Sequence, residues 1–183
     1  GQVHSRLTGR VAPADDDGHL DAVGHGRRDL AGDLLDDVGV HARAAAAGAT
    51  VPDSSAAVAH AAGIVIVVVV DAKQVDEVLF GADGVVASGA RGRIVMIAST
   101  LDPDYVRSLP PRCADAGVTI LDTPISGGPA KAHAGTMTIM VAGPAAERER
   151  CAGVLAAIAE RRFEISDRVG DAASTKIVNN LLA

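Results

Sequence analysis

Seven consecutive aliphatic residues, Ile64-Val65-Ile66-Val67-Val68-Val69-Val70, constrain this chain more than any other stretch of it. β-Branched side chains are stiff at χ1 and suit a pleated backbone, and a run without polar alternation offers no face to water. A strand of this kind belongs inside a parallel sheet covered on both faces by helices. Parallel neighbours need crossover connections, and from about Leu34 onward apolar runs alternate with Ala-rich amphipathic segments in the βαβ pattern. An α/β, doubly wound, mostly parallel sheet is the fold class expected.

The punctuation residues place the other elements. Pro52 to Ala62 predicts a short helix capped by Asp53 or Ser54 and ended near Gly63, and Asp71 to Phe80 a second closed by Gly81. Strands are expected at Ile94 to Ile97, Val118 to Leu121, Thr136 to Ala142 and Arg162 to Ile165, and helices at Asp102 to Ala116 and Ala145 to Ala159. Pro110-Pro111 falls inside the first of these helices. A proline removes a donor and clashes with the preceding turn at a cost of about 3 kcal/mol, so a break is expected near Leu109. Ala172 to Ala183 reads as the opening turns of a further helix. Residues 1–32 differ in kind: Asp15-Asp16-Asp17, His19, His25 and Arg27-Arg28 lie among almost no aliphatic periodicity, so no strand is expected there and the segment is read as disordered.

Composition excludes several function classes. The net charge is −6, from 17 basic and 23 acidic residues without a basic block, so nothing draws a nucleic-acid backbone. The aliphatic run from Ile64 is far shorter than the roughly 20 residues of a membrane span, and no charged-then-apolar signal region opens the chain. Cys113 and Cys151 lack a CxxC spacing and fall in helical segments, which points to buried thiols in a reducing compartment and hence to the cytoplasm. The six histidines are scattered without ligand spacing, so no metal site is expected.

Three short constellations carry chemical meaning. Ser126-Gly127-Gly128 follows the strand ending near Asp122 and lies just past Pro124; its hydroxyl and open N–H groups can hold a carboxylate, though an ordinary glycine-rich turn has the same composition. Lys176 and Asn180 stand four apart on one helix face, where an ammonium and an amide can meet one ligand or simply be solvated. Ser99-Thr100 ends a strand at the carboxyl edge, where open parallel sheets bind ligands, and would equally serve as a helix cap.

These pieces occur in the order and spacing of the β-hydroxyacid dehydrogenase family, which the chain resembles from roughly Leu34 to its end. The blocks are IVIVVVVDAKQVDEVLF from Ile64 to Phe80, Ser99-Thr100, LDTPISGGPAKAHAGTMTIMVAG from Leu121 to Gly143, and GDAASTKIVNNLLA from Gly170 to Ala183. The Lys131 block looks most like the L-threonate dehydrogenase branch. The resemblance implies a Rossmann-like dinucleotide-binding domain followed by an all-helical domain, with the active site between them. It implies that Lys176 takes the proton from the β-hydroxyl of a small hydroxy acid, that Asn180 orients that substrate, and that Ser126, Gly127 and Gly128 bind its carboxylate. It further implies that Thr100 lies at the nicotinamide side and that Val69-Val70 lines the cleft of the cofactor, NAD or NADP. Substrates of the 3-hydroxyisobutyrate, tartronate semialdehyde or L-threonate type follow.

The chain departs from the family pattern in four places. No G-x-G-x-x-G loop precedes the first helix; Gly18, Gly24 and Gly26 have the wrong spacing. Asp36 or Asp37 stands where an acid would bind a ribose hydroxyl, which slightly favours NAD. The chain stops a few residues past Asn180, Pro110-Pro111 interrupts a helix that the family keeps intact, and Ala172 stands where glycine usually precedes the lysine. The expectation is a chain altered at its start, from a changed reading frame, and truncated at its end. It divides into an atypical segment at 1–32, a partial dinucleotide-binding domain at 33–168 and the start of the helical domain at 169–183. Apolar faces left exposed would favour a homo-oligomer. The alternative to an oxidoreductase is a non-catalytic remnant or interaction module that keeps part of the sheet.

Overall fold

The aliphatic run becomes an interior strand for the reason its composition suggests: Val65, Ile66 and Val67 are all buried, so both faces of the strand are covered. In the computed structural model, which describes residues 23–25 and 48–182, the strands are β1 (Val23–His25), β2 (Ile64–Val68), β3 (Arg93–Ile97), β4 (Val118–Asp122), β5 (Ile125–Ser126), β6 (Met137–Ala142) and β7 (Ala159–Ser166). The helices are α1 (Ser55–Ala61), α2 (Ala72–Phe80), α3 (Pro103–Cys113), α4 (Gly128–Ala134), α5 (Ala145–Arg150), α6 (Ala152–Ile158) and α7 (Asp171–Leu182). Among the N-terminal features, Asp15-Asp16-Asp17, Gly18, His19, Gly26, Arg27-Arg28 and Asp36 or Asp37 lie outside the described residues.

One sheet runs in the order β1-β2-β3-β4-β6-β5, with β7 paired to β6. The first four strands are parallel, β6 runs antiparallel to β4 and β5, and β7 is parallel to β6. Asp122 pairs with Ala142, Ile125 with Ile139 and Ser126 with Thr138, a single unshifted register, so β4 and β5 are one strand interrupted at Thr123-Pro124. Proline has no N–H for the ladder, which accounts for the gap.

Helices cover both faces. Val67, Val95, Ile97 and Ile120 pack under Val58, Val75, Leu79, Val106 and Leu109, whereas Ile66, Ile94, Met96, Leu121 and Ile139 pack under Val154 and Leu155. The doubly wound, mostly parallel fold class is the one expected.

Several local expectations need correction. A strand exists before residue 32: Val23–His25 pairs in parallel with β2, held by backbone bonds to an interior strand rather than by any side-chain periodicity three residues could display. The break expected near Leu109 is absent, and α3 runs through Pro110 and Pro111 to Cys113, short of the expected Ala116. Val106, Leu109 and Cys113 are fully buried along one face. Burying a large aliphatic side chain is worth about 1.5–3 kcal/mol, enough to offset two prolines standing within a turn of the helix end. The helix expected from Ala145 to Ala159 is two, joined at buried Cys151: α5 buries nothing, and the turn of direction lets Val154 and Leu155 of α6 reach the sheet. The strand expected from Arg162 to Ile165 extends over Ala159–Ser166, and α4 was not foreseen.

Ser54 proves to be the cap of α1, accepting from the Ala57 N–H at 3.1 Å. Among the described residues no helix is long and apolar enough to cross a membrane. Both cysteines are free and buried, and burial pushes each thiol up to about 11. A thiol needs its thiolate form to react, so Ellman's reagent should label neither Cys113 nor Cys151 in the native chain at pH 8 and both after guanidinium unfolding. Rapid native labelling would contradict this packing.

Candidate active site

The site assembles at the carboxyl edge of the sheet. Ser99, just past β3, is buried; its hydroxyl donates to the Val69 carbonyl at 2.7 Å and accepts from the Val69 N–H at 2.8 Å. This clamp explains why β2 ends at Val68 and not at Val70 as expected: the Val69 peptide groups bond a side chain instead of a neighbouring strand. The Val70 N–H then donates to Gln74 Oε1 at 2.8 Å, while the Asp71 carboxylate caps α2 by accepting from the Gln74 N–H at 2.9 Å. Val70 and Thr100 are left exposed at the edge. Neither Ser99 nor Thr100 caps α3, since Asp102 accepts from the N–H groups of Asp104 and Tyr105 at 2.8 and 3.2 Å.

The serine-diglycine turn lies beside this edge. Thr123 N–H donates to the Ile97 carbonyl at 2.9 Å and Ile125 N–H to the Ala98 carbonyl at 3.4 Å, so the interrupted strand stays against the end of β3. Ser126 is half-buried, and Gly127 and Gly128 are exposed. Gly127 has φ +140° and a Cβ there would stand 2.9 Å from Lys131 Cβ, so both backbone and space demand glycine. Gly128, at φ +68° with open space around it, is required by conformation alone. Among the described residues neither glycine N–H donates to a turn or loop carbonyl.

Asp122 brings the lysine helix to the same edge. Its carboxylate, 1% exposed, accepts from the Gly170 and Ala173 N–H groups, both at 2.9 Å, and so caps α7 across 48 and 51 residues of sequence. Burial raises the Asp122 carboxyl above its ordinary value against the opposing pull of these donors. Gly170, at φ +97°, has no room for a Cβ, which would lie 2.4 Å from Arg107 Cγ. Arg107 also donates to Ser174 Oγ at 3.0 Å, and Ser166 Oγ bonds Asp171 Oδ2 at 2.8 Å, so the first turn of α7 is held from three sides.

The buried face of α7 is Ala172, Ala173 and Lys176. Lys176 is 6% exposed, forms no hydrogen bond or ion pair among the described residues, and has its pKa lowered by burial. Asn180 shares its helix face by spacing but lies on the exposed end of α7, with no side-chain bond joining the two. Thus the structure gathers Val69, Val70, Thr100, the Ser126 turn and the Lys176 helix at one edge, while Asn180 projects beyond the packed part. Asp122 and the clamping role of Ser99 escaped sequence reasoning. A carboxylate closing the apolar strand Val118-Thr119-Ile120-Leu121 was the available signal, because such a charge is buried only with partners. Among the described residues no group of His, Cys, Asp and Glu could hold a metal ion.

A parallel sheet wound on both faces, with its chemistry at the carboxyl edge, is the architecture of a Rossmann-type dinucleotide-binding domain. Residues 37–170 match the NAD binding domain of 6-phosphogluconate dehydrogenase, and the chain belongs to that family. It is similar to L-threonate dehydrogenase of Cupriavidus necator, 40% identical over 120 residues that span 66% of this chain and 40% of that protein. Similarity also extends to 3-hydroxyisobutyrate dehydrogenase of Pseudomonas aeruginosa, 33% identical over 135 residues, 74% of this chain and 45% of that one. The crystal structure of 3-hydroxyisobutyrate dehydrogenase from Salmonella typhimurium superposes with a TM-score of 0.71 at 34% identity, covering 77% of this chain and 49% of that chain. The chain therefore spans less than half the length of these relatives, and the family resemblance seen in its motifs holds.

The cap and its neighbour make opposite predictions. Asp122→Ala leaves two buried N–H groups without an acceptor and should cost about 3 kcal/mol in denaturant unfolding, with Asp122→Asn costing less. Because burial raises the folded-state pKa above the ordinary 3.8, the contribution of Asp122 is full below that value and is lost as pH rises through the folded one. Relative to wild type, Asp122→Asn should therefore gain stability as pH climbs above about 4. The Thr123 hydroxyl is the one side-chain polar atom wholly cut off from solvent without a partner among the described residues, so Thr123→Val should raise stability by about 1 kcal/mol in the same assay.

Proposed function

We propose that this chain is the cofactor- and carboxylate-binding part of an NAD(P)-dependent oxidoreductase acting on the β-hydroxyl of a small hydroxy acid. Lys176 carries the reading: it is buried, lacks a counter-ion among the described residues, and rides on a helix anchored to the strand that leads into the serine-diglycine turn. Desolvation disfavours the ammonium, so the amine is available to take a proton at lower pH than an ordinary lysine. In the oxidation direction Lys176 Nζ accepts the hydroxyl proton, and in reduction it returns it. Ser126 Oγ and the N–H groups of Gly127 and Gly128 hold the carboxylate, and Asn180 orients the substrate.

The exposed Thr100 and Val70, beside a Val69 backbone fixed by Ser99, fit the nicotinamide side of a dinucleotide. When bound, that cofactor supplies the hydride acceptor. NAD or NADP would serve, with NAD slightly favoured by Asp36 or Asp37. Substrates of the 3-hydroxyisobutyrate, tartronate semialdehyde or L-threonate type are the class proposed, in keeping with the names of the relatives. Residues 33–168 form the dinucleotide-binding part in this reading, 1–32 an atypical segment and 169–183 the start of a helical domain. Val178, Leu181 and Leu182 expose 55%, 80% and 83% of their surface, which supports a homo-oligomer built through apolar faces. Two free buried thiols suit the cytoplasm.

Calorimetric titration with NAD and with NADP tests the proposal: micromolar binding is expected, and no binding at millimolar concentration would favour a non-catalytic remnant. Where turnover is measured with L-threonate, Lys176→Ala should lower kcat by about 10²–10⁴ with cofactor affinity nearly unchanged. The base must be unprotonated, so turnover should fall as pH drops through the lowered Lys176 pKa; an acid limb that persists in Lys176→Ala would remove this lysine from the mechanism.

A further inference from the structure

Lys131 stands four residues after Gly127 on α4, and helical side chains lean toward the N-terminal end of their helix. Here the aliphatic stem lies across the turn itself: a Cβ on Gly127 would stand 2.9 Å from both Cβ and Cδ of Lys131 and 3.4 Å from its Cγ. Below it, the Lys131 carbonyl accepts from the Thr136 N–H at 2.9 Å, so the segment bearing the stem is anchored at its far end. The residue is exposed, and its ammonium forms no ion pair or hydrogen bond among the described residues, in a chain where 23 acidic residues outnumber 17 basic ones.

Lys176 does not fill the same need. Burial disfavours its charged form, so the group suited to moving a proton is ill-suited to neutralising an anion. Arg107 is engaged with Asp104 on α3 and with Asp171, and Arg168 with Asp171 at the first turn of α7. Uncharged donors alone, a serine hydroxyl and two peptide N–H groups, would leave a bound carboxylate without a counter-ion.

We infer that Lys131 is a specificity-determining residue, its ammonium supplying the charge that makes the Ser126-Gly127-Gly128 turn select hydroxy acids as anions over their neutral amides and alcohols. The inference rests on the carboxylate reading of that turn and divides two tasks between two lysines: Lys131 attracts and holds the anion, and Lys176 exchanges the proton. It also gives Gly127 a second duty, since any side chain there would lift the Lys131 stem off the turn.

Titration of the whole chain with L-threonate and with its neutral amide, followed by amide chemical shifts, tests the assignment. Wild type should bind the acid saturably and more tightly than the amide, with affinity weakening as salt is added. Lys131→Met keeps the stem and removes the charge; it should weaken the acid about fivefold, leave the amide unchanged and flatten the salt dependence. Lys131→Arg should restore the preference. If Ser126→Ala weakens the acid while Lys131→Met binds it as wild type does, the role of Lys131 is overturned and the carboxylate turn stands. If wild type gives no saturable shift, the carboxylate turn falls and this inference with it. Unaltered shift dispersion in each variant confirms that folding is intact.

Discussion

The arrangement of the candidate site depends on the buried Asp122 carboxylate and the two N–H groups it accepts from, Gly170 and Ala173. The first turn of any helix has unsatisfied donors, and a carboxylate taken out of water needs donors; each solves the other's problem. Because Asp122 closes β4 and the turn with Ser126 follows four residues later, the cap fixes the lysine helix relative to the serine-diglycine turn through a short, stiff path. A shift of α7 would move Lys176 away from the Ser126 turn, and with it the arrangement on which the proposed reaction rests.

A second clamp acts at the ends of β2 and β3. Ser99 serves the Val69 peptide as donor and acceptor at once, so the exit from β2 has one geometry, and the neighbouring Thr100 stays free of structural duty. Adjacent hydroxyls at one strand end thus divide: the buried one organises the backbone, and the exposed one is left open at the edge. Lys176 and Lys131 divide in a similar way between burial, which favours the neutral amine, and exposure beside an open turn. In both pairs the functional group is shared and the surroundings set it apart.

The sheet shows where sequence patterns are strong and where they fail. The Ile64 to Val70 run announces an interior strand because seven β-branched residues have few other stable settings. Val23–His25 announces nothing, because a strand of three residues is made by backbone bonds to its neighbour. Pro110-Pro111 misleads in the other direction: local chemistry favours a break, and the burial of Val106, Leu109 and Cys113 overrides it. The split at Cys151 has the same origin, since only a change of direction brings Val154 and Leu155 to the core.

From sequence alone follow the α/β class, the helices and strands with long periodic patterns, and the motif residues Thr100, Ser126, Gly127, Gly128, Lys176 and Asn180, because these rest on local composition, fixed spacing and likeness to a family. Tertiary structure alone decides that Asp122 anchors the lysine helix, that Ser99 clamps Val69, that Lys176 is desolvated while Asn180 is exposed, and that the Lys131 stem lies on Gly127. These are relations between residues as far as 51 positions apart in the chain or facts of burial, and burial is a property of what surrounds a side chain. Residue identity sets what each group can do; the fold sets which of those things it does.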